Sequence, residues 1–257
     1  MPYRATFAIV LAVLLLAAPA LRAAELIVFS GGAVKSVLPA LASEYTKKTG
    51  TKVTLAFSAM GPLKAKLTAK ERADVAIATP AALDDLEKSG VLPAGERVPV
   101  ARVGVGVAMK SGAAAPRIGT PEEFRQALLS APVISYGDPN SATTGIYFAK
   151  LLREMGLEET VRGKTQLRPD GYQVIDFVSK GKGGELGIAP ISEIRDSESK
   201  GVRLVGPLPG NLQTYNSYMA VILPGGRQEA EARAFAAHLI GAQARARFVA
   251  AGFEASP

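Results

Sequence analysis

Between Glu25 and Leu92 the apolar and polar positions repeat one unit three times: a short apolar run, a turn of small residues, and a stretch with helical spacing. The runs are Leu26-Ile27-Val28-Phe29, Val53-Thr54-Leu55-Ala56-Phe57 and Asp74-Val75-Ala76-Ile77-Ala78. The turns are Ser30-Gly31-Gly32-Ala33, Ser58-Ala59-Met60-Gly61 and Thr79-Pro80. Val34, Val37, Leu38, Leu41 and Tyr45 recur at helical spacing, which predicts a helix from near Ala33 to the stop at Gly50. Pro39 is tolerable there only near the first turns or at a slight kink. Further helices are predicted over 62–70 and 80–89. Strands joined by crossover helices predict a mostly parallel sheet.

From residue 103 to 109 a β-branched, glycine-interrupted strand of different character follows, read as the crossing into a second domain. Thr120-Pro121-Glu122-Glu123 is a helix start, with Thr as N-cap, Pro at the first helical position and Glu at the third. Strands are predicted at 132–135, 186–189 and 202–205, with helices at 143–155 and 172–179 and a short one through Ile194. A returning strand, 218–223, precedes helices at 228–240 and 243–251 that have no sheet of their own and should pack back on the first domain. The expected division is 25–103 plus 216–257 for one lobe and 104–215 for the other. Two crossings between lobes make a hinge.

The first 24 residues change the picture of where the protein works. Arg4 precedes an apolar stretch from Ala5 to Ala18, too short to span a bilayer comfortably, and small residues follow, so an export signal cleaved near residues 20–24 and a periplasmic location are expected. Cysteine is absent, which removes disulfides, thiol nucleophiles and cysteine metal sites. The formal charge is +7, with acids and bases interleaved and no basic tract, so a nucleic-acid partner is not expected. A mild positive field would help an anion approach.

The residue inventory argues against the commonest catalytic arrangements. His238, the single histidine, lies among Phe235, Ala236 and Leu239 on a predicted helix and reads as structural. The carboxylate pairs Asp84-Asp85 and Glu158-Glu159 read as solvated surface. No catalytic residue, metal or cofactor is therefore expected, and the chain reads as a binding protein rather than an enzyme.

Binding chemistry concentrates in the strand-end turns, where helix amino termini present backbone N–H groups suited to anions. Ser30, Gly32 and Ala33 form the first set, and Ala59, Met60 and Gly61 the second. In the second lobe Ser141, Thr143 and Thr144 follow Asp138-Pro139-Asn140; Tyr172 follows Asp170-Gly171; Ser192 lies in Pro190-Ile191-Ser192-Glu193. Lys35, in the first helical turn, opposes the helix dipole unless an anion is near. Lys64 is a weaker candidate, since a helical lysine is solvated by default.

Together these residues resemble the periplasmic solute-binding proteins of the molybdate-binding type, components of ABC importers. The resemblance covers residues 25–257: Val28-Phe29-Ser30-Gly31-Gly32-Ala33, Glu44-Tyr45, Lys48-Thr49-Gly50, Ala73-Asp74-Val75-Ala76-Ile77, Asp138-Pro139 with Gly145-Ile146-Tyr147, and Leu186-Gly187-Ile188. It implies an α/β fold of the two-lobed type II periplasmic binding protein kind. Each lobe would be a mixed, mostly parallel sheet flanked by helices, hinged by two crossing segments, and the expected protein is a monomer that delivers its ligand to a membrane permease. Molybdate binders place hydroxyl donors where this chain has Ala33, Ala59-Met60-Gly61 and Pro190. The chain looks closer to a divergent branch through Gly32-Ala33-Val34-Lys35, Gly171-Tyr172 and Ile191-Ser192-Glu193-Ile194. That implies a small organic di- or tricarboxylate such as aconitate or citrate. Molybdate, tungstate or another tetrahedral oxyanion is the alternative ligand, and an exported adhesin or ligand sensor the alternative role.

Overall fold

A computed structural model of the chain describes residues 25–225 and 228–254; the segment read above as an export signal lies outside them. The three predicted units are present. β1 (Glu25–Gly31), β2 (Lys52–Ser58) and β3 (Val75–Ala78) alternate with helices α1 (Leu38–Thr49), α2 (Met60–Thr68) and α3 (Pro80–Lys88). The first helix differs from expectation. Gly32–Ser36 forms a 3-10 turn, the chain breaks at Val37, and the α-helix starts at Leu38. Pro39 then lies in the first turn, where its missing N–H costs no helical bond. Gly50 ends α1 in the left-handed conformation, its N–H donating to the Thr46 carbonyl at 2.8 Å.

The long β4 (Val98–Lys110) begins before the predicted strand and joins two groups of strands. After it come α4 (Pro121–Ser130), β5 (Ile134–Gly137), α5 (Thr143–Glu154), α6 (Glu158–Val161), β6 (Thr165–Arg168), α7 (Gly171–Ser179), β7 (Leu186–Pro190), α8 (Ile191–Asp196), β8 (Val202–Pro207), β9 (Tyr215–Ile222), α9 (Glu229–Leu239) and α10 (Ala242–Ala250). Thr120 caps α4 as the sequence predicts, accepting the Glu123 N–H at 3.1 Å. β6 and α6 lie in a stretch where no element was predicted, because 158–168 is polar with little periodicity.

The strands run in the order β2-β1-β3-β9-β4-β7-β5-β6, with β8 paired to β4. The expectation of mostly parallel sheets needs correction. β2-β1-β3 and β7-β5-β6 are parallel, but β4 pairs antiparallel with β7, β8 and β9, and β3 with β9. The reason is connectivity: β9, the returning strand, runs against the first parallel group, and β4, antiparallel to both β9 and β7, runs with the first group and against the second.

Buried apolar residues form separate clusters. One draws on residues 26–103 and 218–253 and includes Leu38, Leu83 and Phe235. Two others draw on 105–208, around Phe124 and Phe148 and around Ile175 and Ile194. The carboxyl-terminal helices therefore pack on the first group of strands. Phe235 is wholly buried, edge-on to Tyr45 at 5.2 Å, and His238 packs beside both rings with Nε2 3.2 Å from the Leu41 carbonyl oxygen. Phe235→Ala should cost about 3–5 kcal/mol of unfolding free energy, read from the urea midpoint. A loss below about 1 kcal/mol would mean that α9 does not brace this core.

Candidate functional site

The carboxyl ends of β1, β2, β5 and β7, together with β9, converge on one cleft of about 730 Å³, counting its open mouth. It lies where ligands bind in open α/β sheets, outside the carboxyl ends of the strands. α2 and α5 point their amino termini at it from opposite sides. Their N-cap residues, Ala59 and Ala142, have no side chain able to cap; α5 leaves its first-turn N–H groups for a ligand, whereas α2 leaves only that of Met60, because the Gly61 N–H is bonded to Ser141 and Pro62 has none. α7 differs: its N-cap Asp170 accepts the Gln173 N–H at 2.9 Å, and its other carboxyl oxygen accepts from the Gln173 amide.

The structure lines the cleft with Gly32, Ala33, Lys35, Ala59, Met60, Thr143, Thr144 and Tyr172 from the predicted set. The other four, Ser30, Gly61, Ser141 and Ser192, are not in the lining and make internal hydrogen bonds, Ser141 through its backbone alone. The Gly61 N–H donates to the Ser141 carbonyl at 2.9 Å, Ser192 Oγ donates to the Ala33 carbonyl at 2.9 Å, and the buried Ser30 Oγ donates to the Gly31 carbonyl at 3.2 Å. The Gly61 and Ser192 bonds tie residues of one core to residues of the other. Lys64 is occupied by Asp85 at 2.6 Å. The acidic pairs considered above are surface ion pairs: Asp84 meets Arg97 at 2.7 Å, Glu158 meets Arg153 at 3.4 Å, and Glu159 meets Arg162.

Sequence reasoning missed Glu193, Asn216 and Tyr218. Asn216 Nδ2 donates to Thr144 Oγ1 at 2.9 Å, which fixes that threonine, and Tyr218 is buried in the cleft wall. Glu193 is the least expected. The residue is 4% exposed and lines the cleft, and its Oε2 is buried against Gly171 without a hydrogen-bond partner. Burial, with Asp170 and Asp196 adding to it and Lys35 opposing, pushes its carboxyl up to about 8. Tyr172 donates its hydroxyl to Asp196 Oδ2 at 3.0 Å, and the Lys35 and Lys200 ammoniums lie 5.0 and 5.9 Å from its ring centre. Burial and neighbouring carboxylates hold the Tyr172 hydroxyl above its ordinary range, and burial and Glu193 do the same to Tyr218.

The arrangement can do two things. Uncapped helix termini, threonine hydroxyls and Lys35 can hold a multiply charged anion, while an unpaired carboxyl in the same wall can exchange a proton with it. Among the described residues no cluster of three or more His, Cys, Asp or Glu side chains is placed to hold a metal ion.

Comparison with known proteins gives relatives of two kinds. A protein of a Pseudomonas species named aconitate isomerase is 29% identical over 239 residues, covering 89% of this chain and 88% of that protein. The Azotobacter vinelandii periplasmic molybdate-binding protein superposes with a TM-score of 0.73 at 20% identity, over 90% of this chain and all of that one. A sulfate-binding protein of Mycobacterium tuberculosis superposes at 0.72 and 15% identity, over 90% and 86%. These solved structures speak to the fold alone. The aconitate isomerase match overturns the expectation of a non-enzyme, because a relative aligned over nearly the whole chain is an enzyme by name. The family profile of bacterial extracellular solute-binding proteins matches residues 26–254, and the chain belongs to that family.

Proposed function

We propose that the cleft binds a small unsaturated tricarboxylate of the aconitate kind and isomerises it. The observation that carries this reading is the unpaired carboxyl of Glu193 inside an anion-binding wall. A cleft that only had to hold an anion gains nothing from a buried acid there, since desolvation and like charge both oppose it. A cleft that must move a proton on a bound anion needs such a group. The resemblance of the chain to a protein named aconitate isomerase points the same way.

The reaction class follows from the substrate's chemistry. Aconitate is a three-carbon chain bearing three carboxylates and one double bond, and its isomers differ in geometry about that bond. Its methylene hydrogens lie next to both a carboxylate and the double bond, so removing one spreads the electron pair over the three carbons. Negative charge then grows toward the carboxylates at either end. The α5 amino terminus on one side, and the Met60 N–H of α2 on the other, are suited to stabilise those ends, and Lys35 adds a full positive charge. In this reading the two groups of strands act as lobes, with 25–103 plus 216–257 on one side and 104–215 on the other, and closure excludes water while the proton moves. The same clamp, opening in the periplasm, would hand ligand to a membrane permease if the protein also serves transport.

The binding half is tested by thermal unfolding with cis-aconitate, trans-aconitate, citrate and molybdate. At one hundred times its dissociation constant a ligand adds about 2.7 kcal/mol of stability. Both aconitates should raise the midpoint. Stabilisation by molybdate alone would contradict the reading. The catalytic half is tested by incubating purified protein with either isomer and separating the two by chromatography, where conversion toward one common ratio from both directions is expected.

A further inference from the structure

Resting on that isomerase reading, we infer that Glu193 is the catalytic base of the cleft, and that Gly171 and Gly32 are what let its carboxyl stand there. The cleft wall contains two carboxyls, and they are unequally free. Asp170 commits both oxygens to Gln173, whereas Glu193 Oε2 has no partner. Asp196, behind the wall, accepts the Tyr172 hydroxyl. The hydroxyls of Tyr172 and Tyr218 are held in their protonated form by burial, so neither can serve as a base.

The glycines supply the second observation. A Cβ on Gly171 would lie 2.0 Å from Glu193 Oε2 and 3.0 Å from its Cδ, and one on Gly32 would lie 3.3 Å from Oε1. Gly171 opens α7 and Gly32 opens the turn after β1, so the carboxyl is gripped between elements of the two cores. Any side chain at 171 would evict it. The groups facing Glu193 are Lys35 on the turn after β1, Asp170 and Tyr172 at the start of α7, Asp196 on its own helix, and Tyr218 on β9. Lys35 is the single cation among them, and it can pair either with the ionised base or with the substrate.

The step balances without an oxidant, reductant or second substrate. The Glu193 carboxylate, through Oε1, the oxygen not sealed behind Gly171, takes a proton from the methylene carbon, the C–H electron pair becomes part of the three-carbon π system, and the negative charge spreads into the terminal carboxylates. The resulting carboxylic acid gives a proton to the opposite terminal carbon. The double bond re-forms one position along, free to take either geometry.

The test compares wild type with Glu193→Gln in turnover of cis-aconitate, with binding measured separately by calorimetry. The expected result is a fall in kcat of about 10²- to 10⁴-fold with the dissociation constant changed only a few-fold. The wild-type kcat/KM should rise with pH through about 8, and any residual activity of the variant should lack that limb. Glu193→Asp, which keeps a titrating carboxyl and shortens its reach, should retain the limb at lower kcat, and it carries the test if the Gln variant does not fold. A Gln variant with wild-type kcat, or with KM raised and kcat unchanged, would overturn the assignment. A wild type that binds aconitate and never converts it would instead overturn the isomerase reading, and the base role with it.

Discussion

The Glu193→Gln protein is expected to unfold at a higher temperature than wild type above pH 8 and to lose that advantage by pH 5. An ordinary glutamate titrates at 4.5, and burial moves Glu193 to about 8 in the folded protein. Between those values the folded state holds a proton that the unfolded state has released, so stability falls as pH rises through this window. Above 8 the buried carboxyl is ionised and its full desolvation cost is present. Glutamine of the same shape never ionises, so the difference in melting temperature should be small at pH 5 and grow to a plateau above 8. For a chain of this size each kcal/mol appears as about 2–4 °C. Calorimetric melting of both proteins from pH 5 to 9 checks this. A difference that does not vary with pH would show that Glu193 titrates like a solvated acid. Improved stability with lost turnover is what a site held at a cost to the fold should give.

Gly171→Ala is the second large effect, and it removes no titrating group. Gly171 does not adopt a left-handed φ, so alanine is compatible with the backbone, and the clash is with Glu193 Oε2 at 2.0 Å and Pro190 Cδ at 3.2 Å. Overpacking of this kind costs about 1–3 kcal/mol, so the protein should still fold. The carboxyl must move by an ångström or more, and such a misplacement can cost about 10²-fold in turnover. Steady-state kinetics should therefore show kcat reduced about 100-fold, with aconitate still raising the melting temperature. Unchanged kcat in Gly171→Ala would mean that the carboxyl has no fixed place during turnover.

Most elements were legible because their signals are local. Thr120-Pro121 announced α4, Gly50 ended α1, and the apolar runs of β1 to β3 were bounded by small residues. The start of α1 was misplaced because Ala33 and Val34 are buried in helical register yet belong to a 3-10 turn, and spacing alone does not separate the two. The antiparallel course of β4 and β9 was hidden because strand direction depends on where the chain returns.

Part of the candidate site was legible for a similar reason: strand-end turns with small residues can be recognised without knowing the fold. That Ser141 and Ser192 lie outside the cleft lining was not legible, because their cross-core partners, Gly61 and Ala33, are distant in sequence. Glu193 was read only as part of Ile191-Ser192-Glu193-Ile194 and not as a candidate, because nothing local in the sequence marks a glutamate as buried. The available hint was its setting, since α8 follows a wholly buried strand and keeps Ser192, Glu193 and Ile194 buried in succession. Catalysis was discounted by looking for histidine and paired acids, whereas a carbon acid already flanked by carboxylates needs one well-placed base.

The most direct measurement is proton NMR of cis-aconitate in D₂O with purified wild-type protein at pH 8. The account predicts that trans-aconitate appears and that the protein's activity is lost in Glu193→Gln. A spectrum in which cis-aconitate binds, shown by broadened lines, yet stays cis at its methylene and vinyl resonances would contradict it.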